Sequence, residues 1–181
     1  AFLRLTGWRI EGKPPEAPQF VLIGAPHTTN WDMVYLLAVA WALQIDVSWV
    51  GKQEIFRRPF GGIMRRLGGI PVRRDRSQSM VEQMAAAFAA TDRLALVLAP
   101  EGTRSAAEYW RSGFYHIGRT AGVPIATGFV DYERKVAGFG PVITLSEDIG
   151  ADMDRLREFY GPIVGRRPGN QGPIRLREEA G

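Results

Sequence analysis

The fold is decided by residues 19–44, which read QFVLIGAPHTTNWDMVYLLAVAWALQ. The apolar run over 19–24 predicts a short strand. The pattern becomes helical over 29–44, and because this stretch is apolar almost all round, we expect a buried helix. A strand that leads through a polar turn into a helix is typical of an α/β fold.

The same alternation of strand and helix continues along the chain. Residues 94–98 are a continuous apolar run of the kind found in buried parallel strands. The alanine-rich residues 77–92 predict a helix opened by a serine cap. Further strands are predicted at 7–12, 46–51, 123–130 and 142–145, with a brief one ending at Val72, and further helices at 112–121 and 148–160.

The length of 181 residues corresponds to about one domain. We therefore predict a single α/β domain over 1–181, with a mixed, mostly parallel sheet flanked by helices. Residues 1–18 are expected to supply an N-terminal strand and a linker. The tail over 166–181, rich in proline, glycine and charge, is expected to be surface-bound or mobile.

The composition excludes several kinds of chemistry. The chain has no cysteine, which excludes disulfides, thiolate metal sites and a cysteine nucleophile. It has two histidines, His27 and His116, so a site that needs two or three histidine ligands is nearly excluded as well. The longest wholly apolar run, residues 33–43, is too short to cross a bilayer.

The charge balance favours an anionic partner. The net charge is +4, and 20 of the 23 cationic residues are arginine. Arginine binds phosphate and carboxylate groups through its forked guanidinium. The alternative is that the arginine content merely reflects the composition of the genome.

The polar turn after the strand at 19–24 holds a histidine and an acid, His27 and Asp32. On one continuous helix their spacing corresponds to a rotation of roughly 140°, so they can meet only if the histidine lies in the turn and the acid in the first helical turn. Such an acid could orient the imidazole as a general base. The alternative is a structural capping box formed by Thr29 and Asp32.

A second polar turn, PEGTRS over 100–105, follows the strand at 94–98. It therefore lies at the sheet edge where α/β folds bind their ligands. Glu101, Arg104 and nearby backbone amides could bind a phosphorylated molecule. A tight turn with a local ion pair is the alternative.

Three weaker candidates lie elsewhere in the chain. Lys52 and Glu54 follow a predicted strand, and Arg73 lies at the end of another, where it could capture an anion. His116 stands beside aromatic residues on a predicted helix, and we expect it to be a core or boundary histidine rather than a ligand.

Taken in order, these segments resemble the glycerophospholipid acyltransferases, the family that includes lysophosphatidic acid acyltransferase. The family's His-x4-Asp motif matches His27 and Asp32, and its Glu-Gly-Thr-Arg-Ser motif is present unchanged over 101–105. The middle motif resembles residues 70–74, although Arg73 stands where the family usually carries an acid. The later Val-Pro-Ile motif is 123–125, and short bacterial members are the best match.

The resemblance implies an αβ domain like that of glycerol-3-phosphate acyltransferase. It implies an O-acyltransferase of phospholipid biosynthesis that moves a fatty acyl group from an acyl-CoA or acyl carrier protein thioester to a hydroxyl of lysophosphatidic acid or another lysophospholipid-like acceptor. His27 would be the base and Asp32 its orienting acid, with no metal and no cofactor besides the thioester co-substrate. The expected substrate-binding residues are Lys52, Arg73, Glu101, Gly102, Thr103 and Arg104.

The segment 56–67 is expected to bind an anionic membrane surface. In it, four arginines at 57, 58, 65 and 66 alternate with apolar residues. We therefore expect a cytoplasmic protein that is peripheral on the inner face of the cell membrane. The alternative is that the arginines are ordinary solvated charge over a short amphipathic helix. The rival function is a non-catalytic basic module that binds anionic membrane or nucleic acid through 57–76, but the stretch has few aromatic residues and no nucleic-acid partner is expected.

Overall fold

The computed structural model describes residues 2–72 and 79–180, and within them the strands form one seven-stranded sheet of order β1-β7-β6-β2-β5-β3-β4. All neighbouring strands are parallel except the antiparallel pair β6 and β7. The strands are β1 (Arg9–Glu11), β2 (Gln19–Ala25), β3 (Val47–Lys52), β4 (Gly69–Val72), β5 (Leu94–Leu98), β6 (Ile125–Asp131) and β7 (Val136–Ile143). The prediction of an α/β domain with a mostly parallel sheet is confirmed.

Helices cover both faces of this sheet. The α-helices are α1 (Phe2–Leu5), α2 (Trp31–Ala42), α3 (Gly61–Arg66), α4 (Met80–Ala89), α5 (Gly113–Ala121) and α6 (Ile149–Tyr160). Short 3₁₀ helices occupy Gln53–Phe56, Pro168–Asn170 and Arg177–Ala180.

The central strand β2 is buried on both faces because its side chains alternate between two cores. Val21 and Ile23 pack with α4, α5 and α6, whereas Phe20 and Leu22 pack with α2 on the opposite face. This is the reason for its continuous apolar sequence, since a strand with helices on both sides has no solvent-facing residues.

Strand β7 differs from its prediction. It runs from Val136 to Ile143, whereas the sequence predicted a strand only at 142–145. Gly138 and Gly140 lower the strand propensity of this segment. Gly138 is needed because an added Cβ would lie 1.8 Å from the carbonyl oxygen of Glu11 in β1.

Two helices also differ from their predictions. Helix α2 was predicted to be buried on all sides, but it packs on one face of the sheet and its outer side faces solvent. Trp31, Val34 and Trp41 are therefore exposed. Helix α4 begins at Met80, where Ser79 forms the cap and a reciprocal capping box, and ends at Ala89. The short α1 was not predicted.

The C-terminal tail is anchored to the body of the domain. Leu176 is 1% exposed and forms an isolated parallel β-bridge with Trp110. Glu179 forms an ion pair with Arg157 of α6 at 2.6 Å. Of the two expectations for the tail, the structure shows the surface-bound one.

Candidate active site

Three neighbouring parallel strands end at one edge of the sheet, and each delivers a polar residue there. Strand β2 lies between β5 and β6 and is parallel to both. His27 follows the end of β2, Glu101 follows the end of β5 and Tyr132 follows the end of β6, each within three residues of the strand. Parallel strands bring their carboxyl ends together, which is why such an edge collects functional residues from distant parts of a chain.

The predicted pair of His27 and Asp32 meets at this edge. Nδ1 of His27 lies 3.4 Å from Oδ2 of Asp32. The histidine side chain is 22% exposed and the aspartate side chain 7%. The imidazole is therefore accessible, while the carboxylate lies behind it.

Asp32 accepts hydrogen bonds at both carboxylate oxygens. Its Oδ2 accepts from the backbone N–H groups of Thr28 and Thr29, each at 2.7 Å. Its Oδ1 accepts from the Thr29 hydroxyl at 3.0 Å and from the Tyr132 hydroxyl at 2.8 Å. Burial acts to raise the pKa of Asp32, but the imidazole, the hydroxyl of Tyr132 and the backbone donors outweigh it and hold the pKa below its ordinary value.

The capping and catalytic interpretations of Asp32 are therefore compatible. Asp32 is the second residue of α2, and the N-cap residue Asn30 makes no side-chain capping bond. The carboxylate of Asp32 closes the turn in its place and still faces the imidazole. One side chain fixes the local backbone and also lies 3.4 Å from the imidazole of His27.

Glu101 fixes the backbone of His27. Its Oε1 accepts a hydrogen bond from the His27 N–H at 2.9 Å. Glu101 is only 6% exposed, and its Oε2 has no hydrogen-bond partner in the part of the chain that the structure describes. Burial raises the pKa of this carboxyl above its usual range. Its expected contact with substrate stays a prediction.

Arg104 lies beside the histidine turn. Its guanidinium donates to Oδ1 of Asn30 at 2.6 Å, and its backbone carbonyl accepts from the side chain of Asn170 in the tail. Gly102, two residues earlier, has φ of +66°, a conformation that glycine adopts without strain. The tight turn therefore points an exposed cation towards the loop that carries His27.

A cavity of about 830 Å³ opens at the same edge. Its polar lining residues include His27, Asp32 and Arg111. Its apolar walls include Met33, Leu36, Trp49, Val50, Val97 and Leu98. The site thus combines an accessible imidazole with a space that suits an apolar chain.

The remaining predicted residues are placed differently. Lys52 is the last residue of β3, and Arg73 lies outside the described residues. Thr103 is exposed, and its hydroxyl accepts from the backbone N–H of Ser105. His116 is exposed on α5, with Nε2 3.8 Å from Oε1 of Glu178.

Two site residues were missed in the sequence. Tyr132 follows β6 directly, so the rule that pointed to His27 and Glu101 could also have found it. Arg167, whose backbone N–H donates to the Thr28 hydroxyl at 3.2 Å, carries no such signal because it belongs to the tail. Within 2–72 and 79–180, no group of three His, Asp or Glu side chains is arranged to hold a metal ion.

Comparison with known proteins gives a family and a fold. The profile of the family described as Acyltransferase matches residues 9–131. No curated protein matches the chain. Among solved structures, the chain is similar to the 1-acyl-sn-glycerophosphate (LPA) acyltransferase PlsC from Thermotoga maritima, with a TM-score of 0.56 at 15% sequence identity. The similarity covers 84% of this chain and 66% of that protein, so the chain spans just under two thirds of its length.

Proposed function

This chain belongs to the acyltransferase family, and from that premise we propose that it transfers a fatty acyl group from a thioester to a hydroxyl of lysophosphatidic acid or another lysophospholipid-like acceptor. The thioester is acyl-CoA or an acylated acyl carrier protein. The observation that carries the proposal is the His27–Asp32 pair in the lining of a largely apolar cavity.

In this mechanism His27 is a general base. Because Nδ1 faces Asp32, Nε2 is the nitrogen that takes the proton from the acceptor hydroxyl. The hydroxyl oxygen attacks the thioester carbonyl carbon, and the tetrahedral intermediate collapses with cleavage of the carbon–sulfur bond. The imidazolium then returns the proton to the departing sulfur, so the products are an ester and a free thiol.

The apolar walls of the cavity support an acyl substrate. Leu36 of α2 and Trp49 of β3 line it together with His27. A volume of about 830 Å³ lies in the range of clefts that bury most of a small ligand. An acyl chain placed there would bring its carbonyl carbon to His27.

Release of free thiol tests the proposed function. Purified protein is incubated with acyl-CoA or acylated acyl carrier protein, in the presence and absence of a mixture of lysophospholipids. We expect thiol release that depends on the acceptor and is accompanied by a diacylated lipid. Absence of acceptor-dependent release with both donors would contradict the proposal.

We propose that Arg104 binds the phosphate of the acceptor. Its guanidinium is exposed beside the histidine turn, where it can make a forked contact with phosphate. Arg104→Ala is expected to weaken acceptor binding by about 1.5 to 3 kcal/mol, the range for hydrogen bonds to charged groups. Steady-state kinetics would show a higher KM for the acceptor with little change in KM for the thioester.

Asn30→Ala is the matched control, since it removes the hydrogen bond between these two side chains but keeps the cation. We expect it to change the acceptor KM much less than Arg104→Ala. Normal acceptor binding combined with loss of donor binding in Arg104→Ala would reverse the assignment of the two substrates to the site.

The segment 56–67 is proposed to attach the protein to anionic membrane. Phe60, Ile63 and Leu67 are exposed on and around α3, and Arg57, Arg58, Arg65 and Arg66 surround them. The segment is continuous with the cavity, because Trp49 lines the cavity and donates its indole N–H to the Leu67 carbonyl. Within the described residues, no helix has both the length and the apolar character needed to cross a bilayer.

Phe56 does not take part in this surface, although the sequence suggested that it would. It is 5% exposed and stacks on Trp49 with a centroid separation of 5.9 Å. The guanidinium of Arg65 also lies over its ring, 5.6 Å from the ring centre. Phe56 is therefore a core residue that supports α3.

Replacement of the four arginines by glutamine is expected to weaken binding to anionic vesicles. Each cation near such a surface contributes about 1 kcal/mol, so the four contribute up to roughly 4 kcal/mol, less under salt screening. Vesicle sedimentation should show binding that requires anionic lipid and falls steeply with salt.

A charge-matched control replaces four exposed arginines outside the segment, Arg9, Arg93, Arg119 and Arg175. We expect this variant to keep most of its vesicle binding. If both variants bind equally, or if the unmodified protein does not bind, the segment is not the membrane attachment site.

A further inference from the structure

A tyrosine from a distant strand contacts the candidate catalytic acid. The hydroxyl of Tyr132 donates a 2.8 Å hydrogen bond to Oδ1 of Asp32, across 100 residues of sequence. Tyr132 is the first residue after β6, and β6 pairs directly with β2, the strand that leads to His27. Tyr132 itself lies outside the motifs that resemble the acyltransferase family.

The position of Tyr132 is fixed from three directions. Its backbone N–H donates to the carbonyl of Val164 at 2.9 Å. Its ring packs edge-on against Trp8 and Tyr35, with centroid separations of 5.0 and 5.8 Å. Because both the backbone and the ring are held, the hydroxyl reaches Asp32 in a defined direction.

The Tyr132 bond opposes rotation of the Asp32 carboxylate. Oδ2 faces the imidazole and accepts two backbone N–H groups, whereas Oδ1 is held by Thr29 of the same turn and by Tyr132 from another strand. Rotation of the carboxylate would move Oδ2 away from His27 and break these bonds. Tyr132 ties the carboxylate to the body of the sheet, which the local turn cannot do.

Towards the Asp32 carboxylate, the Tyr132 hydroxyl acts as the donor. Burial, and then the hydrogen bond to the carboxylate, raise the pKa of Tyr132 above its ordinary value, so the hydroxyl keeps its proton at neutral pH. The hydroxyl therefore stabilises the ionised form of Asp32, which is the form that orients an imidazole.

We infer that Tyr132 is a positioning residue for acyl transfer, and that its hydroxyl holds the Asp32 carboxylate in the orientation that keeps Oδ2 against Nδ1 of His27. This inference rests on the proposed function of the His27–Asp32 pair. Tyr132 acts through Asp32 and is not assigned a contact with either substrate.

Tyr132→Phe tests this role because it removes the hydroxyl and keeps the ring. We expect kcat to fall about 10- to 100-fold, the factor that corresponds to a hydrogen bond to a charged group, with both KM values unchanged. The matched control is Tyr35→Phe. Tyr35 packs against the same ring, and its hydroxyl makes no hydrogen bond within the described residues; this variant is expected to retain the activity of the unmodified protein.

A second measurement does not depend on activity. Carbon-13 NMR follows the side-chain carboxyl of Asp32 as pH is changed, and the signal is assigned by its loss in Asp32→Asn. In Tyr132→Phe the titration midpoint of Asp32 should rise, because a donor that favours the ionised carboxylate is gone. Tyr35→Phe should leave the Asp32 midpoint unchanged. Neither variant should change the titration midpoint of Glu101, the other acid that contacts His27.

The two measurements separate this inference from the proposed function. If the unmodified protein transfers acyl groups and Tyr132→Phe matches Tyr35→Phe in either kcat or the Asp32 midpoint, Tyr132 is not a positioning residue. If the unmodified protein transfers no acyl group, the proposed function fails, and an unchanged Asp32 midpoint would show that Tyr132 does not act on the carboxylate at all.

Discussion

His27→Ala is expected to lower kcat for acyl transfer by at least about 100-fold, the contribution of a positioned general base. In the proposed mechanism the imidazole takes the proton from the acceptor hydroxyl, and it lies 3.4 Å from the Asp32 carboxylate. The fold should be unaffected, because the side chain is partly exposed and the backbone N–H that binds Glu101 remains. The measurement is acceptor-dependent thiol release, with circular dichroism to check the fold.

His116→Ala is the matched control for this substitution. It removes the other histidine of the chain, which is exposed on α5 and lies 3.8 Å from Glu178. We expect it to retain most of the activity. Full acylation of the acceptor by His27→Ala would rule out the general-base mechanism and favour a non-catalytic role for the site.

Asp32→Asn is expected to lower kcat by about 100-fold or more, because in the proposed mechanism the carboxylate stabilises the imidazolium and a neutral amide would not. It should also destabilise the fold, since an amide cannot accept all the hydrogen bonds that reach the carboxylate. Thiol release and thermal unfolding measure the two effects separately.

The stability effect of Asp32 has a defined pH dependence. Its pKa is lower in the folded protein than in the unfolded chain, so its contribution to the free energy of unfolding is present above the unfolded pKa of about 3.9 and is lost as pH falls through the folded pKa. The loss of stability in Asp32→Asn should therefore be largest at neutral pH and shrink under acid conditions.

Asp148→Asn is the control for a purely structural acid at a helix start. Asp148 caps α6 by accepting from the N–H of Ala151, away from the cavity. The Asp148→Asn substitution should leave acyl transfer unchanged. If Asp32→Asn also lowered only the melting temperature and not kcat, Asp32 would be a capping residue and nothing more.

The strands that position the site were predictable because their signal is local. β2 and β5 are continuous apolar runs, as expected for parallel strands with helices on both sides. β7 was largely missed because Gly138 serves close approach to Glu11, and this need appears only when β1 and β7 pair. The burial of Phe56 likewise depends on its contact with Trp49, which comes from another strand.

The sequence by itself predicted that His27 and Asp32 can meet, because a histidine in a strand-to-helix turn lies close along the chain to an acid in the first turn of the helix, and the structure places them 3.4 Å apart. Only the tertiary structure decided that Glu101 binds the His27 backbone and that Tyr132 binds Asp32, since these partners lie 74 and 100 residues apart. The physical reason is the strand order β5-β2-β6, which brings three carboxyl ends to one edge. That order is set by the packing of two cores against a common sheet, and no local pattern of residues encodes it.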